Sequence, residues 1–340
     1  MERVLVTGAG GYIGTILVPT LLEAGYAVRA IDRFFFGREL LHESENLEIV
    51  REDTRRLSPK HFAGVDYVID LVAISNDPSG EAFEAETYAI NIQSRVKTAR
   101  LAKQTGAKRY VLPSSCSIYG FQEPGVIVDE TSKTRPLTAY AKANELAEQG
   151  VLPLASEDFV VVVLRQATVY GYAPRMRFDL AINGMTYGAW KTGRLPLMRD
   201  GTQWRPMIHV KDAARAQIFM LTAPAKRVNG QIFNVGSEKN NYQLGPLAEQ
   251  IARSVPRKVE IEWYGPVDNR SYRVGFGKIN ALGYEAQREA EDGVTEVCDA
   301  LQAGRTDRTT KTITLDWYKE LVAWQQRLRE IEIDGALLAL

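Results

Sequence analysis

The chain has 340 residues, 45% apolar and 25% charged, which is ordinary globular composition with material for a large core. Lys plus Arg equals Asp plus Glu at 42 each, so no net field draws it to nucleic acid or an anionic membrane, and neither is an expected partner. Two cysteines, Cys116 and Cys298, make neither a disulfide framework nor a metal-ligand cluster, so no metal is expected.

Residues 3–7 read as a short apolar strand, and Gly8-Ala9-Gly10-Gly11-Tyr12-Ile13-Gly14 follows at once. A helical pattern then runs over 12–24 and stops at Gly25. Strand, glycine turn and helix in that order form the phosphate cradle of a dinucleotide-binding fold. Gly8 allows the tight turn, Gly11 lets backbone approach a diphosphate, and Gly14 lets the helix lie close to the strand. The helix N-terminus offers free N–H groups and partial positive charge to the anion. Tyr12 and Ile13 are expected to pack beside the phosphates. A second strand, 27–31, ends in Asp32, where such folds place an acid on the adenosine ribose. That acid favours NAD over NADP, and Arg33 beside it softens the preference. Phe34-Phe35-Phe36 is read as a loop anchored in the core rather than a stack against adenine.

Further strands are expected at 47–50, 67–71, 110–113 and 159–164, and helices at 59–62, 82–105 and 139–154. The alternation predicts an α/β fold, a Rossmann-type doubly wound parallel sheet with helices on both faces. After Gly171 the pattern becomes irregular. Helices are expected at 178–187, 211–222, 244–254 and 295–301, and a sheet strand at 233–236. The expected division is an NAD-binding domain over 1–171 plus 211–235, and a smaller C-terminal α/β substrate lobe over 172–210 plus 236–330. Residues 331–340 form a tail without an assigned role. No apolar run nears the ~20 residues that cross a bilayer, and the chain opens in a strand without a leader pattern, so a soluble cytoplasmic protein is expected.

Several motifs then line up: Thr7-Gly8-x-x-Gly11-x-x-Gly14, Glu52-Asp53-Thr54-Arg55, Ser114-Ser115-Cys116-Ser117-Ile118-Tyr119-Gly120, Pro136-x-x-x-Tyr140, Leu164-Arg165-x-x-x-Val169-Tyr170-Gly171 and Trp204-Arg205-Pro206-x-Ile208-His209-Val210-x-Asp212. Over about residues 3–300 the chain resembles the extended short-chain dehydrogenase/reductase family, in particular its nucleotide-sugar epimerases, reductases and dehydratases. The resemblance implies NAD as cofactor, with Asp53 and Thr54 at the adenine, Leu71, Val72 and Ala73 along the cofactor channel, and Asn91 shaping the site through backbone or water. It implies that Ser115 hydrogen-bonds the sugar oxygen that changes oxidation state and that Tyr140 is the acid/base for that oxygen. Hydride moves at carbon while a proton moves at its oxygen, so one group must exchange that proton within hydrogen-bond reach.

Position 144 departs from the family, because the usual lysine four residues after the tyrosine is Asn144. That lysine holds the nicotinamide ribose and lowers the phenol pKa by its charge. Asparagine keeps the hydrogen bonds and loses the charge. Three readings stay open: Tyr140 works mainly as an acid in ketone reduction; another cation, with Arg175, Arg177 and Lys211 as candidates, reaches in; or the site is weak and the protein is an NAD-holding scaffold or sensor.

The residues after Ser115 narrow the reaction. Family 4,6-dehydratases place an Asp-Glu pair there to expel water, and Cys116 and Ser117 cannot do so. Cys116 is read as packing. C4 epimerisation or 4-keto reduction fits best, with Ser117 joining Ser115 on the substrate side. Asn183, Arg205 and Arg270 are candidates for the substrate diphosphate or base, and His209 is read as structural. The resemblance also implies a homodimer that pairs the helices at 82–105 and 139–154, with Ala139, Ala141, Ala143 and Ala147 permitting close approach.

Overall fold

A computed structural model describes residues 1–123, 125–267, 271–333 and 335. Seven parallel strands form the central sheet: β1 (Arg3–Thr7), β2 (Ala27–Asp32), β3 (Leu47–Arg51), β4 (Tyr67–Asp70), β5 (Arg109–Ser115), β6 (Val160–Gln166) and β7 (Gln231–Val235). Their spatial order is β7-β6-β5-β4-β1-β2-β3, with every pairing parallel. This is the expected Rossmann-type α/β sheet. The order reverses between β1 and β4, where open α/β sheets leave a crevice beyond the strand ends.

Each central strand is apolar on both sides, and its side chains alternate between two cores. Val4, Val6, Val111, Val162 and Leu164 pack with Leu17 of α1 (Gly14–Glu23) and Met220 of α7 (Val210–Thr222). Leu5, Val68, Tyr110, Val161 and Val163 face the other side, against Ala99, Ala102, Ala147 and Val151. Each such aliphatic side chain contributes about 1.5–3 kcal/mol when fully buried.

The helix expected over 82–105 is preceded by a separate short helix, α2 (Asp77–Ala82), and itself runs over three contiguous segments: α3 (Glu84–Tyr88), a π-helical turn (Ala89–Ser94) and α4 (Arg95–Gln104). Periodicity alone could not show the π turn, which holds Asn91. Asn91 accepts from the Ile74 amide at 2.9 Å and donates to its carbonyl at 3.0 Å. π turns occur where a helix serves such a local demand. The helix α5 (Ala139–Val151) packs beside this turn. Ala139, Ala141, Ala143 and Ala147 are buried within their own chain. The alanine face assigned above to a symmetry mate is therefore already used inside the protomer.

The second lobe gathers α6 (Ala181–Thr192), the parallel strands Arg194–Met198 and Glu260–Tyr264, and the helices Leu244–Ser254 and Ala290–Gln302. Ile182, Met185, Leu195, Leu247 and Val294 make its core. A C-terminal helix, Thr314–Ile331, crosses back to the first lobe, where the Trp317 indole donates to the Phe35 carbonyl at 2.8 Å. Among the described residues no helix is long and apolar enough to cross a membrane.

Candidate active site

A cleft of about 1290 Å³ runs along the C-terminal ends of the sheet strands. Gly8, Gly11, Tyr12, Ile13 and Gly14 line its inner wall. The glycines are required there. A Cβ on Gly14 would lie 2.4 Å from the Ala9 carbonyl oxygen, and one on Gly8, whose φ is +66°, would lie 2.8 Å from the Leu71 carbonyl carbon. Asp32 and Arg33, Asp53 and Thr54, and Leu71, Val72 and Ala73 line the same wall.

Asp32 accepts from the Gly10 amide at 3.0 Å and the Phe34 amide at 2.7 Å. Burial pushes its carboxyl up, and these amides pull it back. A carboxylate has about four acceptor positions, so two remain for ribose hydroxyls. Asp53 accepts from the Arg55 amide at 3.0 Å and pairs with Arg55 and Arg33, and the Arg55 hydrogen bond holds its carboxyl below the usual range. A bare turn of backbone, a helix N-terminus and a ribose-ready carboxylate at a strand end suit an adenine dinucleotide, so the residues present fit NAD.

The catalytic end is set by a tight junction of α2 and α5. Thr138 caps α5, accepting from the Ala141 amide at 3.1 Å and donating to Asp77 at 2.7 Å. The Ala139 amide donates to Glu81 at 2.7 Å. Gly80 lies so close to Tyr140 that a Cβ there would be 2.9 Å from the tyrosine Cβ. Tyr140, Ser115 and Ser117 all line the cleft. Ser115 Oγ accepts from the Ser117 amide at 3.1 Å, which leaves its hydroxyl hydrogen free to donate. Ser117 Oγ is buried without a partner.

Asn144 is buried and absent from the cleft wall. Its Nδ2 donates to the Tyr140 carbonyl at 3.0 Å, and its Oδ1 accepts from Arg95 Nη1 at 3.1 Å. Arg95 also donates to the Val72 carbonyl at 2.8 Å and faces the buried Asp70 carboxyl. Sequence reasoning missed Arg95, which lies in the segment read as one uninterrupted helix. Of the three cation candidates, Lys211 is engaged elsewhere, donating to Glu296 at 2.6 Å. Arg175 and Arg177 do line the cleft. Arg177 interacts electrostatically with Tyr140 and makes a two-pronged pair with Asp179 at 3.0 and 2.8 Å. Burial pushes the Asp179 carboxyl up, but the Arg177 charge and hydrogen bonds outweigh it and hold it at about 2.

Asn91 and Asn183 lie behind the wall and do not touch the cleft. Asn91 fixes the loop after β4 through Ile74. Asn183, fully buried, accepts from the Gly171 amide at 2.9 Å and donates to Tyr12 Oη at 3.0 Å, which ties the second lobe to the glycine turn. The expectation was a backbone or water contact for Asn91 and a substrate contact for Asn183; Asn91 bonds the Ile74 backbone, and Asn183 bonds the Gly171 amide, the Arg177 carbonyl and the Tyr12 hydroxyl. Arg205 lines the cleft with its guanidinium 5.7 Å from the Tyr272 ring centroid. Arg270 lies outside the described residues. Phe35 and Phe36 line the cleft, which corrects the reading of the phenylalanine run as purely a core anchor. Tyr318 of the C-terminal helix packs on both, at ring centroid distances of 6.3 and 6.0 Å. With Leu315, Leu321, Val322 and Gln325 it completes an outer wall that the sequence reading did not assign. Cys116 is buried and donates from Sγ to the Arg165 carbonyl, as packing requires. His209 is buried, caps α7 by accepting from the Lys211 amide at 3.2 Å, and meets Glu296.

Fold and cleft together define a dinucleotide-dependent enzyme of the short-chain dehydrogenase/reductase type. The model of the NAD dependent epimerase/dehydratase family matches residues 4–236, and the chain belongs to that family; NAD is its cofactor. It is 26% identical to a UDP-N-acetyl-alpha-D-glucosaminuronate decarboxylase of Bacillus cytotoxicus, over 94% of this chain and 98% of the relative. It is 29% identical to a UDP-glucuronate 4-epimerase of Thermodesulfobacterium geofontis, over 86% of this chain and 94% of the relative. Among solved structures it matches MoeE5 in complex with UDP-glucose and NAD at a TM-score of 0.78 and 25% identity, covering 90% of this chain and all (100%) of that one. The UDP-glucose 4-epimerase of Thermotoga maritima gives 0.80 at 22% identity, covering 90% and 100%, and shows the shared fold.

Proposed function

We propose that the protein is an NAD-dependent nucleotide-sugar epimerase acting at C4. One observation carries the reading: Ser115 and Tyr140 face a single continuous cleft with the glycine turn and Asp32. NAD, when bound, would supply the acceptor and donor of hydride. Tyr140 takes the proton from the sugar hydroxyl as its carbon is oxidised, and returns it when the carbon is reduced on the other face. Ser115 donates its free hydroxyl hydrogen to that oxygen, which steadies it as negative charge develops. Ser117, with an unpaired buried Oγ, contacts a neighbouring sugar hydroxyl. Arg205 meets the substrate diphosphate. Cys116 and Ser117 provide neither acid nor base for elimination, which favours epimerisation over dehydration.

The relatives' names support a UDP-linked sugar as first substrate. The test is incubation of NAD-loaded protein with UDP-hexoses and UDP-hexuronic acids, followed by separation of C4 epimers. Interconversion without net cofactor consumption supports the reading; no conversion of any member contradicts it. Stoichiometric NADH consumption with a 4-keto sugar would instead select the reductase reading. We infer the two-domain division given above and a homodimer through α4 and α5, the dimer on family likeness. Light scattering showing a monomer at micromolar concentration would overturn it.

A further inference from the structure

Arg175 sits where the chain passes from the first lobe to the second. Its amide points at Thr15 Oγ1 on the first turn of α1, 3.5 Å away. Its guanidinium lies 3.7 Å from the Phe36 ring centroid, and Nη2 donates to Thr314 Oγ1 at 3.0 Å. The residue is only 4% exposed and lines the cleft. Its Nε has no hydrogen-bond partner, and among the described residues no carboxylate forms an ion pair with it. Desolvation and repulsion by Arg177 lower its pKa, to about 10, so it stays charged at neutral pH.

The nearest carboxylates, Asp179 and Asp32, act on this guanidinium only electrostatically, and Asp179 is already paired with Arg177. A buried guanidinium with an unsatisfied N–H is costly, and a native fold keeps one where something anionic completes it. Two features of the neighbourhood name the anion. The first turn of α1 attracts phosphate. Asp32, an electrostatic neighbour of Arg175, claims the ribose next to that phosphate. A guanidinium fork matches paired phosphate oxygens.

We propose that Arg175 is a second anchor for the diphosphate of the cofactor, adding a charged clamp to the amides of the glycine turn, and that the C-terminal helix holds it in place. Thr314 is buried, accepts from Arg175 and hydrogen-bonds Asp179. Tyr318, one helical turn on, packs against Phe35, Phe36 and Phe83 over the same end of the cleft. The helix Thr314–Ile331 thus forms part of the same site. The inference rests on the dinucleotide reading of the cleft.

The substrate also carries a diphosphate, so the test separates the two sources. Protein stripped of nucleotide is titrated with NADH by fluorescence and with UDP by calorimetry, for wild type, Arg175→Met, Arg175→Lys and Thr314→Val. Arg175→Met is expected to weaken NADH about 10- to 100-fold, the scale of a charge-assisted hydrogen bond, and to leave UDP unchanged. Arg175→Lys recovers part of the loss, and Thr314→Val, which preserves the charge, shows a smaller one. The stripped Arg175→Met protein melts no lower than wild type, because an unpaired charge has been removed; a merely structural arginine would lower the melting point and leave NADH affinity intact. NADH binding by Arg175→Met equal to wild type, or a loss of UDP affinity in its place, overturns the proposal. Wild type that binds no NADH would sink the dinucleotide reading itself.

Discussion

Arg95 Nη1 donates to Asn144 Oδ1 across 3.1 Å, and both residues are buried. The family resemblance calls for a lysine at position 144. Here the neutral side chain at that place is backed by a cation from the neighbouring helix, and its amide is turned so that Nδ2 reaches the Tyr140 carbonyl. A lysine at 144 would set an ammonium against that guanidinium. Asn144→Lys is therefore expected to lower both turnover and stability, by about 3 kcal/mol, the scale of an uncompensated buried charge. Arg95→Met with Asn144→Lys recovers much of the loss. Urea denaturation and turnover of wild type and the two variants check this; a gain of activity in Asn144→Lys alone contradicts it.

Tyr140 carries the proton in this account. Tyr140→Phe is expected to cut turnover about 10²- to 10⁴-fold, the usual contribution of a positioned acid/base. NADH affinity should change little. A variant with near-normal turnover would remove Tyr140 from the mechanism.

Gly80 tests placement without touching a reacting group. A methyl there would meet the Tyr140 Cβ at 2.9 Å. Gly80→Ala is expected to destabilise by about 1–3 kcal/mol through overpacking. It should also slow turnover about 100-fold through a displaced tyrosine. Melting curves and kinetics on one preparation measure both.

Acid sensitivity has a source away from the cleft. Burial pushes the Glu296 carboxyl up, but hydrogen bonds and charge from His209 and Lys211 outweigh it and hold the pKa at about 2, below its ordinary 4.5. Between those values the unfolded chain binds more protons than the folded one, so stability rises with pH there. The Glu296 contribution is complete above about pH 4.5 and is lost as pH falls towards 2. Glu296→Gln is expected to be less stable than wild type at neutral pH and to lose less on acidification. Denaturant midpoints over that range show whether the curves converge.

The sheet was legible because β1, β4 and β6 are apolar runs buried on both faces, a pattern read without tertiary context. The glycine turn and Asp32 were legible because their chemistry is local. The π turn at Ala89–Ser94 was not, because its Asn91 bonds Ile74, a contact between segments that periodicity does not register. Asn183 carried a family expectation of ligand contact, yet its amide serves Gly171 and Tyr12. Arg95 looks like an ordinary arginine in a string of letters, and only burial beside Asn144 gives it a part; Arg175 was a candidate cation, but its contact with Thr314 joins segments far apart in sequence. The C-terminal helix did leave a signal, since Leu315, Tyr318, Val322 and Gln325 recur at helical spacing.

The most direct test of hydride transfer at C4 uses a UDP-sugar substrate bearing deuterium on that carbon. NAD-loaded protein in ordinary water converts it, and the C4 epimer is examined by nuclear magnetic resonance. Retention of deuterium on C4 of the epimer is the predicted result, since the hydrogen leaves and returns through the bound cofactor. Replacement of that deuterium by solvent hydrogen would contradict the account.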